Sequence, residues 1–110
     1  MLAAQLGDRS LFQPDVVRRF FRTRPRRDAT RVLGWDTPAS SGSSAGRHFG
    51  PRSVGHLGFT GTSLWIERQR EVIVVLLTNR VYHGREPNPM PALRPRLHDA
   101  VMAALGLDGR

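Results

Sequence analysis

The segment Gly55-His56-Leu57-Gly58-Phe59-Thr60-Gly61-Thr62-Ser63-Leu64-Trp65-Ile66 holds the residues best suited to chemistry in this sequence. Its three glycines stand where a pair of strands should begin. Glycine in a strand lets another group approach the backbone closely. The exposed backbone N–H groups of such a strand can hold a carbonyl oxygen or an oxyanion. His56 is the side chain to single out; the alternative for it is a strand-end histidine that makes only local hydrogen bonds.

Other candidates fall away on spacing. His48, His83 and His98 lack the close pairing or carboxylate partners of a zinc site, and they read as unrelated surface or loop residues. No metal site and no organic cofactor are expected. Ser40, Ser41, Ser43 and Ser44 sit in no Gly-x-Ser-x-Gly elbow. Ser10-Leu11-Phe12-Gln13 has Gln where a Ser-x-x-Lys nucleophile motif needs Lys. Arg18, Arg19, Arg22, Arg24, Arg26, Arg27 and Arg31 form a basic cluster that could meet phosphates. The simpler reading is a solvated basic face, because no nucleic-acid-binding motif accompanies it.

The chain has 110 residues, 17 basic against 9 acidic side chains, and no cysteine. That length suits one small domain or a piece of a larger one. Without Cys there is no disulfide, thiolate nucleophile or thiolate metal site. All 17 basic residues are Arg. A Schiff-base lysine, a Walker A lysine and a Ser-x-x-Lys base are therefore excluded for this chain alone. The net charge of +8 admits an anionic partner but does not require one. No apolar stretch is long enough for a transmembrane segment, and Met1 to Asp8 do not read as a signal peptide. The compartment stays open.

The elements that must position the glycine segment follow from patterning. A first helix is expected over 10–24, with Pro14 at its start and Val16, Val17, Phe20 and Phe21 as its apolar stripe. A basic linker and a Ser/Gly-rich loop fill 25–53, with Val32 to Trp35 as a short strand. Antiparallel strands occupy 54–80: Gly55 to Phe59, Thr62 to Glu67 and Glu71 to Asn79. The last of these holds the apolar run Val72 to Leu77, which is expected to be central and covered on both faces. A C-terminal helix spans 91–106, with Leu93, Leu97, Val101 and Leu105 as its buried face. The fold class is α+β, about three antiparallel strands with an N-terminal and a C-terminal helix.

The glycine segment resembles the third motif region of the serine β-lactamase and penicillin-binding protein superfamily. It is most similar to the class C-like branch, where His-x-Gly stands in place of Lys-Thr-Gly. Leu33-Gly34-Trp35, the run Val74 to Arg80, and Leu93-Arg94-Pro95-Arg96 match the same branch. The resemblance covers roughly residues 10 to 105, the C-terminal part of that catalytic domain.

The resemblance implies specific roles. His56 would line the substrate pocket and help a proton relay or carboxylate binding. Gly58 would keep the strand open, and the Phe59 N–H would be one of two oxyanion donors. Leu57 and Thr60 would border the substrate, Leu57 without the hydroxyl of the usual Thr. The implied reaction is acyl-enzyme hydrolysis of an ester, amide or β-lactam in an intact parent. Ser-x-x-Lys and Tyr-x-Asn are absent from this sequence. The expectation is a C-terminal fragment, inactive alone, with a missing N-terminal part as its natural partner. Its apolar run would be left partly uncovered, favouring association. The alternative is a small Arg-rich nucleic-acid-binding or interaction module.

Overall fold

The computed structural model describes residues 11–21 and 29–109. Helix α1 spans Pro14–Phe20, strands β1, β2 and β3 span Val54–Gly58, Thr62–Glu67 and Val72–Leu76, and helix α2 spans Met90–Ala104. The strands form one antiparallel sheet in the order β1-β2-β3. Pairing of His56 with Leu64 and of Leu64 with Val75 fixes the register. The chain is thus α+β, with a three-stranded antiparallel sheet.

The pleat divides the sheet into two faces. One face carries Val54, His56, Leu64, Ile66, Ile73 and Val75. At one end of it, Val17 and Phe21 pack on Val54 and Ile66, with Trp35 alongside. The other face carries Leu57, Ser63, Trp65, Glu67, Val72 and Val74. There Trp65 and Val74 meet Met102 of α2 and Ala45 and Phe49 of the preceding loop. Trp65 is fully buried at the centre of this layer. α1 therefore adds cover on the face away from α2.

Five expectations change. The apolar stripe of α1 is narrower than expected, since Val17 and Phe21 are buried while Val16 and Phe20 are exposed. The expected helix residues 10 and 22–24 lie outside the described residues, as do Arg22, Arg24, Arg26 and Arg27 of the basic cluster. Val32 to Trp35 is a tight turn, not a strand: Val32 N–H donates to Trp35 O at 2.8 Å, and Gly34 takes a φ of 73°. Only Asp36, just after it, bridges to the sheet, at Gly55.

β3 is an edge strand in the described sheet, and β2 is the central one. Ile73, Val75 and Leu77 are 52%, 58% and 77% exposed. The apolar run therefore reflects alternation over one packed and one uncovered face. The expected exposed apolar surface is present.

On α2 the buried row is Met90, Arg94, His98 and Met102, with Leu93 and Leu105 exposed. The row is one position out of phase with the expected leucine face. Two polar side chains occupy it because each finds partners inside. His98, expected at a surface or in a loop, is fully buried, with Nδ1 2.8 Å from Ser44 O. Asp99 accepts from the Arg47 backbone N–H at 2.7 Å and pairs with its guanidinium at 3.1 Å. Gly46 lies against Pro95 O and Asp99, where a Cβ would clash. These contacts fasten the Ser/Gly-rich loop to α2.

The β2–β3 turn closes over a second polar node. Glu67 is fully buried and ion-paired with Arg70. Its Oε1 accepts the Gln69 N–H at 2.9 Å. Arg70 also donates to Leu107 O at 3.0 Å and to His48 O, tying the turn to the loop before β1 and to the segment after α2. Glu67→Gln strands the Arg70 charge and should cost about 3 kcal/mol in a urea titration. A loss below about 1 kcal/mol would show that the node is not a buried pair in energetic terms.

Burial pushes the His98 imidazole below the ordinary histidine value, outweighing the Ser44 and Arg94 carbonyls that favour its charged form. Between the unfolded value near 6.5 and the lower folded one, only the unfolded chain takes up the proton. Stability should therefore fall as pH drops below about 6.5, and thermal melts of His98→Gln should show a flatter pH dependence over the same window.

Candidate functional site

The glycine segment forms β1 and the turn into β2. Its three glycines each have an intramolecular reason. At Gly55 a Cβ would strike the Trp65 ring, and at Gly58 it would strike the Thr62 side chain. Gly61 has a φ of 99° and lies against the Thr78 hydroxyl. Close packing, joined at Gly61 by a positive φ, thus accounts for all three.

The outer edge of β1 is partly open. Gly55 exchanges both backbone hydrogen bonds with Asp36, at 2.9 and 2.7 Å. Backbone groups alternate in direction along a strand. Those of Leu57 consequently lie on the same outer edge, beyond the Asp36 bridge, and the Phe59 N–H, trans to the Gly58 carbonyl that faces the turn, points the same way. Among the described residues the Phe59 N–H makes no hydrogen bond.

Side chains divide between the faces. His56 is exposed and sits on the face away from α2, above a shallow groove of ≈ 280 Å³. Gly58, Thr62, Ser63, Leu64, Val75 and Leu77 complete its lining. Leu57 points the other way and packs beside Trp65 in the α2 layer. Phe59 and Thr60 are exposed on the turn. The structure thus gathers His56, Gly58 and the Phe59 backbone at one end of the sheet and leaves Leu57 on the opposite face.

The turn is held from behind by residues the sequence reading did not single out. Arg94 is buried, and its Nη2 donates to Gly58 O at 2.9 Å and Thr62 O at 3.0 Å. Arg80 donates through Nε to Phe59 O at 2.7 Å and through its backbone N–H to Thr60 O at 2.9 Å. The Thr78 hydroxyl donates to Gly61 O at 2.5 Å. The carbonyl oxygens of all five residues from Gly58 to Thr62 are therefore occupied. Burial and the nearby Arg80 charge push the Arg94 guanidinium below its ordinary value. The Arg80 guanidinium also lies over the exposed Phe59 ring, 4.3 Å from its centroid. Arg94 fell within the Leu-Arg-Pro-Arg motif and Arg80 at the end of the apolar run, the only signals that could have pointed to them.

A second cavity, of ≈ 330 Å³, opens beside α2 between Pro38, Ser40, Ser43, Arg47, Phe49 and Pro95. It lies on the α2 side of the sheet, whereas His56 points to the other. Among the described residues no cluster of three or more His, Asp or Glu side chains could hold a metal ion. No described helix is long and apolar enough to cross a membrane.

The family model described as Beta-lactamase matches residues 2–96. Among curated proteins, "Putative D-alanyl-D-alanine carboxypeptidase" of Escherichia coli K12 is 30% identical over 96 residues, covering 86% of this chain and 21% of that protein. The protein of the same name from Salmonella gallinarum is 35% identical over 85 residues, covering 76% of this chain and 19% of its own length. The chain therefore spans about a fifth of the length of the curated relatives it matches. Among solved structures, a beta-lactamase from Mycobacterium bovis superposes with a TM-score of 0.71 at 21% identity. That match covers 91% of this chain and 40% of the other, and establishes the shared fold.

Gly55 offers a direct test of the hairpin packing. Gly55→Ala forces the Trp65 ring from its position and should cost about 1–3 kcal/mol by thermal denaturation. A neutral substitution would mean that the indole repacks freely.

Proposed function

The chain belongs to the beta-lactamase family, and on that footing we propose that it supplies the oxyanion-side wall of a serine acyl-transfer site. The observation that carries the reading is the Phe59 N–H, which lies without a partner on the open edge of β1, next to Gly58 and close in sequence to His56. In this reading a substrate carbonyl lies along that edge and its oxygen accepts the Phe59 N–H. As the nucleophile adds, negative charge grows on the oxygen and the hydrogen bond strengthens, which is how such donors lower a barrier. His56 stands over the groove as the group that moves a proton or holds a substrate carboxylate.

The nucleophile and its base lie outside this sequence, which contains no Lys for a Ser-x-x-Lys motif and no Tyr-x-Asn. The chain by itself therefore forms no acyl-enzyme. The substrate class is an ester, amide or β-lactam. The names of the enteric relatives support a peptide ending in D-alanine among these. The arginines favour this reading over a nucleic-acid-binding one. Arg70, Arg80 and Arg94 turn to carbonyls or a carboxylate within the fold, and Arg18 and Arg47 pair with Asp15 and Asp99.

The test joins the part of the Escherichia coli relative that precedes its matched segment to this 110-residue chain. A fluorescent penicillin should label the fusion covalently and leave the chain alone unlabelled. His56→Ala in the fusion should slow hydrolysis by about 10²-fold or more. A soluble, folded fusion that neither labels nor hydrolyses would overturn the reading, and labelling of the chain alone would overturn its inactivity.

A further inference from the structure

Gly58 C=O and Phe59 N–H are two ends of one peptide unit. The oxygen end receives the Arg94 guanidinium at 2.9 Å, and the nitrogen end is the free donor on the β1 edge. We propose that Arg94 is a positioning residue that both fixes this peptide and polarises it, making the Phe59 N–H a stronger donor toward an oxyanion. The inference rests on the reading of Phe59 as the oxyanion donor.

The physics is that of a charge-assisted hydrogen bond. A cation at an amide oxygen draws electron density away from the nitrogen. The N–H at the other end then donates more strongly, as in any polarised chain of hydrogen bonds. Burial keeps water from screening the effect. Arg80 does the same to the next peptide unit by binding Phe59 O at 2.7 Å.

Two observations separate this from a simple staple. Among the described residues Arg94 is paired with no carboxylate, so its charge is not neutralised locally. Its Nε is also buried without a partner. A bare buried cation is costly. A neutral amide side chain, or an arginine paired with an acid, would secure the turn without that cost. The charge itself is what the carbonyl end of the Phe59 peptide receives.

Amide hydrogen exchange, followed by NMR on the ¹⁵N-labelled 110-residue chain, tests this without turnover. Base-catalysed exchange of an unpartnered N–H reports its acidity. The Phe59 amide should exchange roughly tenfold faster than in an unstructured peptide of the same local sequence, the effect of about one pKa unit. In Arg94→Met, Phe59 should slow to the peptide rate. Gly61, whose N–H donates to Gly58 O at 3.1 Å, should speed up. Arg94→Lys, which keeps the charge, should retain the fast Phe59 exchange.

A Phe59 rate at or below the peptide value in the unaltered chain would overturn the proposal. So would Arg94→Met accelerating Phe59 and Gly61 alike, the mark of lost structure alone. If Arg94→Met does not fold, the unaltered chain and Arg94→Lys decide the matter. Fast Phe59 exchange in a fusion that does not hydrolyse would sink the enzymatic reading only. Slow exchange in an active fusion would sink this inference only.

Discussion

A buried guanidinium with no carboxylate beside it must find carbonyl oxygens, and the place where Arg94 finds them organises this molecule. Its two acceptors, Gly58 O and Thr62 O, flank the turn between β1 and β2. The bond therefore joins α2 to the hairpin at the one point where the backbone leaves regular pairing. Arg80 and Thr78 complete the same collar from the segment after β3. With every carbonyl of the turn directed toward these donors, the Phe59 N–H is left facing outward along the sheet edge. Unsatisfied carbonyls and an unsatisfied cation would each be costly here. Together they specify one geometry.

The strands were legible in the sequence because their signals are local. β2 lies at Thr62–Glu67 as expected, where Thr, Trp and Ile are strand-forming residues. The same local reading misjudged the position of β3. A continuous apolar run usually means two covered faces, but cover is a property of neighbours, and Ile73, Val75 and Leu77 are each more than half exposed here. The phase of α2 was lost for a related reason. Leucines at intervals of four looked like the buried row, while Arg94 and His98 looked polar. Their partners lie 36 and 54 residues away, so no short window could show that both belong inside.

The site was legible to a different extent. The resemblance on Gly55 to Ile66 and on Val74 to Arg80 indicated the family. The residues that hold the turn were invisible, because their role depends on main-chain oxygens, which every residue possesses. The glycines show the reverse. They looked like space made for a ligand, and the packing reveals space already taken by Trp65, Thr62 and Thr78.

The fastening of α2 to the hairpin has a consequence for the order in which the protein is made. β1, β2 and β3 leave the ribosome before Arg94 does, and domains form as synthesis proceeds. The hairpin can pair early, since its contacts are local. Gly58 O and Thr62 O then wait, hydrated, until α2 arrives with its guanidinium. The Ser/Gly-rich loop waits with them, because Asp99 and His98 lie on the same helix. Assembly thus runs backwards along this segment, and turns of α2 that are synthesised later set the geometry of a strand made some forty residues earlier.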